Sequence, residues 1–174
     1  MINICNLIRI LRIGLNPERK CIKNMFIPKE NINRYKIMSR SSCERYCTQH
    51  HKKTSVIISI KSSWDNIKPE LTCTENNNVK SILYLSFDDI DFEENATMCM
   101  QPDDGKKVAD FINKWYNKIN SIIVHCDGGI SRSAGVAAAI MRVKEGDDYP
   151  IFKQRHKHPN MTCYLTTLKG FRYI

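Results

Sequence analysis

The sequence predicts one α/β domain built on a central, mostly parallel sheet flanked by helices. Three apolar runs rich in β-branched residues lie between polar segments, which is the pattern of strands buried on both faces. Helical patterns fall between and after those runs rather than in a separate block, which favours parallel pairing through crossovers. A chain of 174 residues that is 42% hydrophobic is long enough for one well-buried core and short for two.

At the N-terminus, "MINICNLIRILRIGLNPERKC" sets Arg9 and Arg12 among its apolar positions, so its longest uncharged run is too short to span a membrane. It also lacks a small-residue cleavage site behind an apolar core. Residues 1–24 are therefore expected to be a basic extension, a short helix or poorly ordered, with the folded domain over 25–174. The strands are expected at "SVIISI" (55–60), "KSILYLSF" (80–87) and "SIIVHC" (121–126). Between the second and third, Val108, Phe111, Ile112 and Trp115 recur at helical spacing behind Asp103 and Asp104, whose charge suits a helix N-terminus. A second helix follows the third strand, over "SRSAGVAAAIMRVKEG", and ends at Gly146, a natural C-cap. After a turn at 147–150, Tyr164, Leu165 and Leu168 in "YLTTLKGF" give a last helix its core-facing stripe. Trp64 and Trp115 are expected to pack in the interior.

The net charge of +9 is unevenly spread, with 12 Lys/Arg against 3 Asp/Glu in residues 1–60 and 15 of each thereafter. The basic stretches, including "HHKK" at 50–53 and "RHKHPN" at 155–160, read first as solvated surface and as a basic turn near the site. A nucleic-acid partner rests on this asymmetry alone, without an aromatic-interleaved motif. The eight cysteines form no zinc-spaced pairs, so free thiols in a reducing, cytoplasmic setting are expected. Cys43 and Cys47, at i,i+4, are placed to share a helix face without a second ligand pair at finger spacing.

The chemistry concentrates in "HCDGGISRS", residues 125–133, where the third strand gives way to the helix. A helix N-terminus offers unsatisfied N–H groups and partial positive charge, and a loop curled in front of it can aim several amides inward. Gly128 and Gly129 permit that curl. Arg132 adds a planar fork of donors matched to phosphate oxygens. The same field favours the thiolate of Cys126, a nucleophile lying beneath a bound phosphate. Ser133 is placed to hydrogen-bond the sulfur, and His125 to order the loop rather than act as a base.

This stretch resembles the H-C-x-x-G-x-x-R-S/T signature of the cysteine-dependent protein tyrosine phosphatases, and the short chain is similar to their compact dual-specificity branch. The resemblance extends more weakly over about residues 55–172. A position this late in the chain is unlike the low-molecular-weight enzymes, whose loop lies near the N-terminus. The resemblance implies a signature loop between a buried strand and a helix, with Cys126 as nucleophile. It also implies a phosphate held by Arg132 and by the loop residues Asp127, Gly128, Gly129, Ile130 and Ser131. The branch carries its general acid at the end of a strand reading L/I-P-V-x-D, which over "LSFDD" falls on Asp89 although the proline is missing. Asp91 and then Asp88 stand in reserve. A crowded acidic loop would also help one member to arrive protonated.

The expected function is hydrolysis of phosphate monoesters on protein, phosphotyrosine and also phosphoserine/threonine, through a phosphocysteine intermediate with no metal or organic cofactor. Asp127 disfavours polyanionic headgroups, so a phosphorylated protein or peptide is the expected partner, with no membrane association. Two other readings compete: a catalytically weak phosphate-binding module, and an RNA phosphatase or nucleic-acid-binding protein using the basic first third.

Overall fold

The computed structural model describes residues 33–65, 70–74, 77–91 and 98–174, and the extension expected over 1–24 lies outside them. Four strands, β1 (Tyr35–Ser39), β2 (Ser55–Lys61), β3 (Val79–Ser86) and β4 (Ser121–Cys126), form one sheet in the order β1-β4-β2-β3. Every pairing in it is parallel. All of β4, and all of β2 except Lys61, is buried, as their uninterrupted apolar runs require.

Strand β3 departs from the expectation of burial on both faces. It is one of the two edge strands, most of its residues are partly exposed, and Tyr84 is turned far enough out for its hydroxyl to donate to the carbonyl of Leu71 at 2.6 Å. An edge strand pairs on one side only, and its apolar run reads the same as that of a central strand. Strand β1 was not expected at all. "YKIMS" is short and broken by Lys36, and its conformation is imposed by pairing with β4 from Tyr35 opposite Ile122 to Ser39 opposite Cys126.

Helix α1 (Arg40–Cys47) follows β1 directly, started by Ser39, whose Oγ accepts from the amide of Ser42 at 3.3 Å. Its buried face carries Cys43, Tyr46 and Cys47, and the Sγ of Cys47 lies 2.7 Å from that of Cys73. The cysteines of the described residues are free thiols.

Helix α2 (Pro102–Trp115) begins with proline in its first turn, and Asp104 accepts from the amide of Gln101 at 3.1 Å. Val108 and Ile112 face the core, with Phe111 and Trp115 packed against it. Trp64, by contrast, is 71% exposed, at the tip of a turn closed by the Asp65 amide on the Ser62 carbonyl. An isolated tryptophan between polar residues carries no periodicity, so nothing in the sequence distinguishes a buried from a solvated position. No helix among the described residues is long and apolar enough to cross a membrane.

Helix α3 (Arg132–Glu145) is the central helix, buried continuously from Arg132 to Met141. Its run of alanines lets it lie close between the sheet and α5 (Met161–Gly170), and it ends at Gly146 in the left-handed conformation, φ 80°. The one-turn α4 (Tyr149–Phe152) occupies part of the expected turn.

Helices α2 and α5 touch through glycine. A Cβ on Gly105 would sit 2.3 Å from the Thr166 carbonyl oxygen, and one on Gly170 would sit 2.1 Å from the carbonyl oxygen of Gly105. Both partners are backbone, so neither clash is relieved by a rotamer change. Gly105→Ala should therefore destabilise the fold by about 1–3 kcal/mol. Urea unfolding followed by circular dichroism checks this, as a lowered midpoint with an unchanged slope.

Candidate active site

Because the sheet is wholly parallel, its strands deliver their carboxyl ends to one side, which is where open α/β sheets gather ligands. Ser62 follows β2, Phe87 to Asp91 follow β3, and the 127–131 loop follows β4. The Cys126 side chain ends β4 almost fully enclosed, at 2% exposure, with its Sγ 3.2 Å from the Ser133 Oγ in the first turn of α3.

The loop is shaped by its carbonyl oxygens. That of Asp127 accepts from the amide of Arg40 at 3.1 Å and that of Ile130 from the amide of His158 at 3.1 Å. The Ser131 carbonyl accepts from the amides of Asn160 at 3.2 Å and Gly135 at 2.9 Å, and the Gly129 carbonyl from Lys157 Nζ at 2.5 Å. The backbone N–H groups of Gly128, Gly129, Ile130 and Ser131 donate no hydrogen bond among the described residues. Gly129 is required twice over: φ is +68°, and a Cβ would meet the Met38 carbonyl carbon at 2.3 Å. Gly128, expected to serve the same purpose, is not sterically required, since an added Cβ would make only an ordinary contact with the Ile130 side chain at 3.7 Å.

Arg132 is 4% exposed. Its Nη1 donates to the Phe87 carbonyl at 2.8 Å and to Ser62 Oγ at 3.1 Å, and its Nη2 donates to Asp127 Oδ2 at 2.6 Å. Its Nε makes no hydrogen bond and lies 4.0 Å from Asp89 Oδ2. A buried charge stripped of its partner costs about 3–5 kcal/mol, so this set of contacts is what allows the guanidinium to sit here.

The three candidate acids, adjacent in sequence, are separated by their partners. Asp88 accepts from the amide and hydroxyl of Ser63 at 2.8 and 2.9 Å. Asp91 accepts from the amides of Met161 and Thr162 at 3.2 and 2.9 Å, at the N-terminus of α5. Asp89 reaches the loop itself: its Oδ1 accepts from Ser131 Oγ at 2.7 Å and Asn160 Nδ2 at 2.9 Å, while Oδ2 is turned towards Arg132. The expected mutual crowding of the carboxylates is thus dispersed over three separate sets of donors.

His125 is fully buried, with Nε2 2.8 Å from Ser59 Oγ, and burial pushes its pKa down to about 4. It is neutral at physiological pH and braces the strand end. Lys157 is likewise lowered by burial, with the Cys126 charge working in the opposite direction.

Several residues here escaped the sequence reading. Ser62 and Arg40 carry no local signal, because they matter only through the strand ends they follow. Asn160 did carry one. It precedes an apolar helical pattern as an N-cap should, and its Oδ1 accepts from the Cys163 amide at 2.8 Å. "RHKHPN" does form a turn beside the site, and its Lys157, His158 and Asn160, together with Arg40, hold the loop.

No family model and no curated protein matches the sequence. Solved structures do. Human DUSP28 is 13% identical and aligns over 80% of this chain and 92% of its own, with a TM-score of 0.50. The human tyrosine phosphatase-like serine/threonine/tyrosine-interacting protein is 19% identical over 69% of this chain and 78% of its own, at 0.48. A mouse putative dual specificity phosphatase, solved in complex with zinc tungstate, is 15% identical over 69% and 70%, at 0.47. The chain shares its fold with human DUSP28.

The depressed pKa of His125 has a consequence for stability. The unfolded chain binds a proton at this residue below its ordinary value of 6.5, whereas the folded chain resists until about 4. Folding stability is therefore fully present above pH 6.5 and falls as the pH drops towards 4. The loss attributable to His125 should be about 2–3 kcal/mol. Urea midpoints from pH 7 to pH 4 should show this slope in the wild type and a shallower one in His125→Asn.

Proposed function

We propose that the protein hydrolyses phosphate monoesters on protein, phosphotyrosine and also phosphoserine/threonine, through a phosphocysteine intermediate. The observation that carries this reading is the donor set around Cys126. A buried guanidinium with an unbonded Nε and four loop amides without acceptors lie within six residues of one enclosed sulfur. Fixed donors of this kind stabilise the transferring phosphoryl group, usually the largest catalytic effect in such reactions.

The chemistry follows in two steps. The Cys126 sulfur attacks phosphorus while Arg132 and the amides of residues 128–131 hold the non-bridging oxygens. Asp89, carried on the loop by Ser131 and Asn160, gives its proton to the departing oxygen. Water then attacks the phosphocysteine with Asp89 as base. The sulfur leaves as a thiolate stabilised by the Ser133 hydroxyl, and inorganic phosphate is released. Asp88 and Asp91 serve structure, one holding the turn at Ser63 and the other the start of α5.

Asp127 supports a singly phosphorylated substrate over a polyanionic headgroup, because its carboxylate already takes one nitrogen of Arg132. The exposed Ile130 on the loop supports a protein chain passing across the mouth.

Turnover of phosphotyrosine and phosphothreonine peptides tests the proposal. Cys126→Ser should abolish hydrolysis, and unchanged turnover would sink the covalent mechanism. Asp89→Asn should lower kcat by about 10²–10⁴-fold on a peptide. The loss should be much smaller on an aryl phosphate whose leaving group needs no proton. Retained activity in Asp89→Asn with loss in Asp91→Asn would move the acid to Asp91.

A further inference from the structure

Arg132 has to present one edge to a phosphate while lying in a nearly closed space. A free arginine side chain samples many rotamers, and each must be frozen out before its fork can act as a fixed donor. In this protein the freezing is done by a closed set of contacts. Arg132 Nη1 donates to Ser62 Oγ at 3.1 Å, Ser62 Oγ donates to Asp127 Oδ2 at 3.1 Å, and Arg132 Nη2 donates to the same oxygen at 2.6 Å. The Phe87 carbonyl takes the remaining direction of Nη1 at 2.8 Å. Ser62 is itself buried, at 5% exposure, so the triangle is shielded from water on that side. The guanidinium is thereby gripped along its Nη1/Nη2 edge, and Nε is left without a hydrogen bond.

We infer that Asp127 is a positioning residue for Arg132, braced by Ser62, which aims the Nε edge of the guanidinium at the phosphate before substrate arrives. This rests on the phosphatase reading above and adds to it a role for the residue directly after the nucleophile. The two effects of this carboxylate oppose each other. It repels a bound phosphate dianion and competes for Nη2, both of which weaken ground-state binding. It also removes the reorganisation that Arg132 would otherwise undergo as charge shifts in the transition state. The first effect falls on KM and on inhibition by phosphate, the second on kcat. A residue that merely supported the fold would move both together with stability.

The test is steady-state turnover of an aryl phosphate and a phosphotyrosine peptide by the wild type, Asp127→Ala, Asp127→Asn and Ser62→Ala, with inorganic phosphate as competitive inhibitor. Asp127→Ala should lose tenfold or more in kcat while inorganic phosphate binds as tightly as to the wild type or more tightly. Asp127→Asn, which keeps an oxygen acceptor without the charge, should recover part of that loss. Ser62→Ala should lose less than Asp127→Ala, in the same direction. In an Arg132→Lys background, where there is no fork to aim, adding Asp127→Ala should cost less than twofold in kcat. Should Asp127→Ala fail to fold, as judged by its thermal midpoint, Asp127→Asn carries the same comparison. An active wild type whose kcat survives Asp127→Ala and Asp127→Asn within twofold overturns the inference alone, as does an equal loss with and without the Arg132 fork. A wild type without turnover on either substrate overturns the phosphatase reading and this inference with it.

Discussion

The site depends on one constraint: the carbonyl oxygens of Asp127, Gly129, Ile130 and Ser131, in the loop between β4 and α3, are held by donors from other parts of the fold. An unsatisfied buried carbonyl costs about 1–3 kcal/mol, and the fold avoids that cost with donors brought from distant parts of the chain. Arg40 at the start of α1 takes Asp127, Lys157 takes Gly129, and the amides of His158 and Asn160 take Ile130 and Ser131. The amides of residues 128–131 are left without an acceptor among the described residues. Gly129 is the point at which this arrangement closes on β1, since only a residue without Cβ can pass the Met38–Ser39 peptide.

Electrostatics at the site follow from that geometry. Arg132 is held by Asp127, Ser62 and the Phe87 carbonyl, so part of its charge is already answered inside the protein. Asp89 stands at the rim, joined to the loop through Ser131 and to the start of α5 through Asn160. Asn160 therefore joins three pieces by hydrogen bonds: the loop, the candidate acid and the start of the helix behind them. Its burial, at 2% exposure, makes it part of the frame rather than of the surface. Burial also keeps His125, the residue directly before the cysteine, uncharged.

Much of this was legible in the sequence because it is local. The two central strands, the helix after the loop with its Gly146 cap, and the Cys126 to Ser133 run announce themselves through periodicity and through residue types with few other uses. What was not legible depends on tertiary contact. Strand β1 is short and interrupted by Lys36, and it exists by pairing with β4. Strand β3 reads as central because an apolar run does not say how many neighbours it will have. Ser62 and Arg40 look like ordinary polar residues until the parallel sheet brings their strand ends beside the loop. Only the resemblance ranked the carboxylates of "FDDID", with Asp89 ahead of Asp91 and Asp88, and their separate partners, Ser63, Ser131 with Asn160, and the α5 N-terminus, are tertiary contacts with no local signal.

The central claim is that Cys126 carries the phosphoryl group between substrate and water. Its most direct test is acid quenching during turnover of an aryl phosphate, followed by mass spectrometry of the peptide containing Cys126. The account predicts one phosphoryl group on the Cys126 sulfur in the wild type and none in Cys126→Ser. Steady hydrolysis with that cysteine unmodified at every quench time, or with the phosphoryl group on His125, would contradict it.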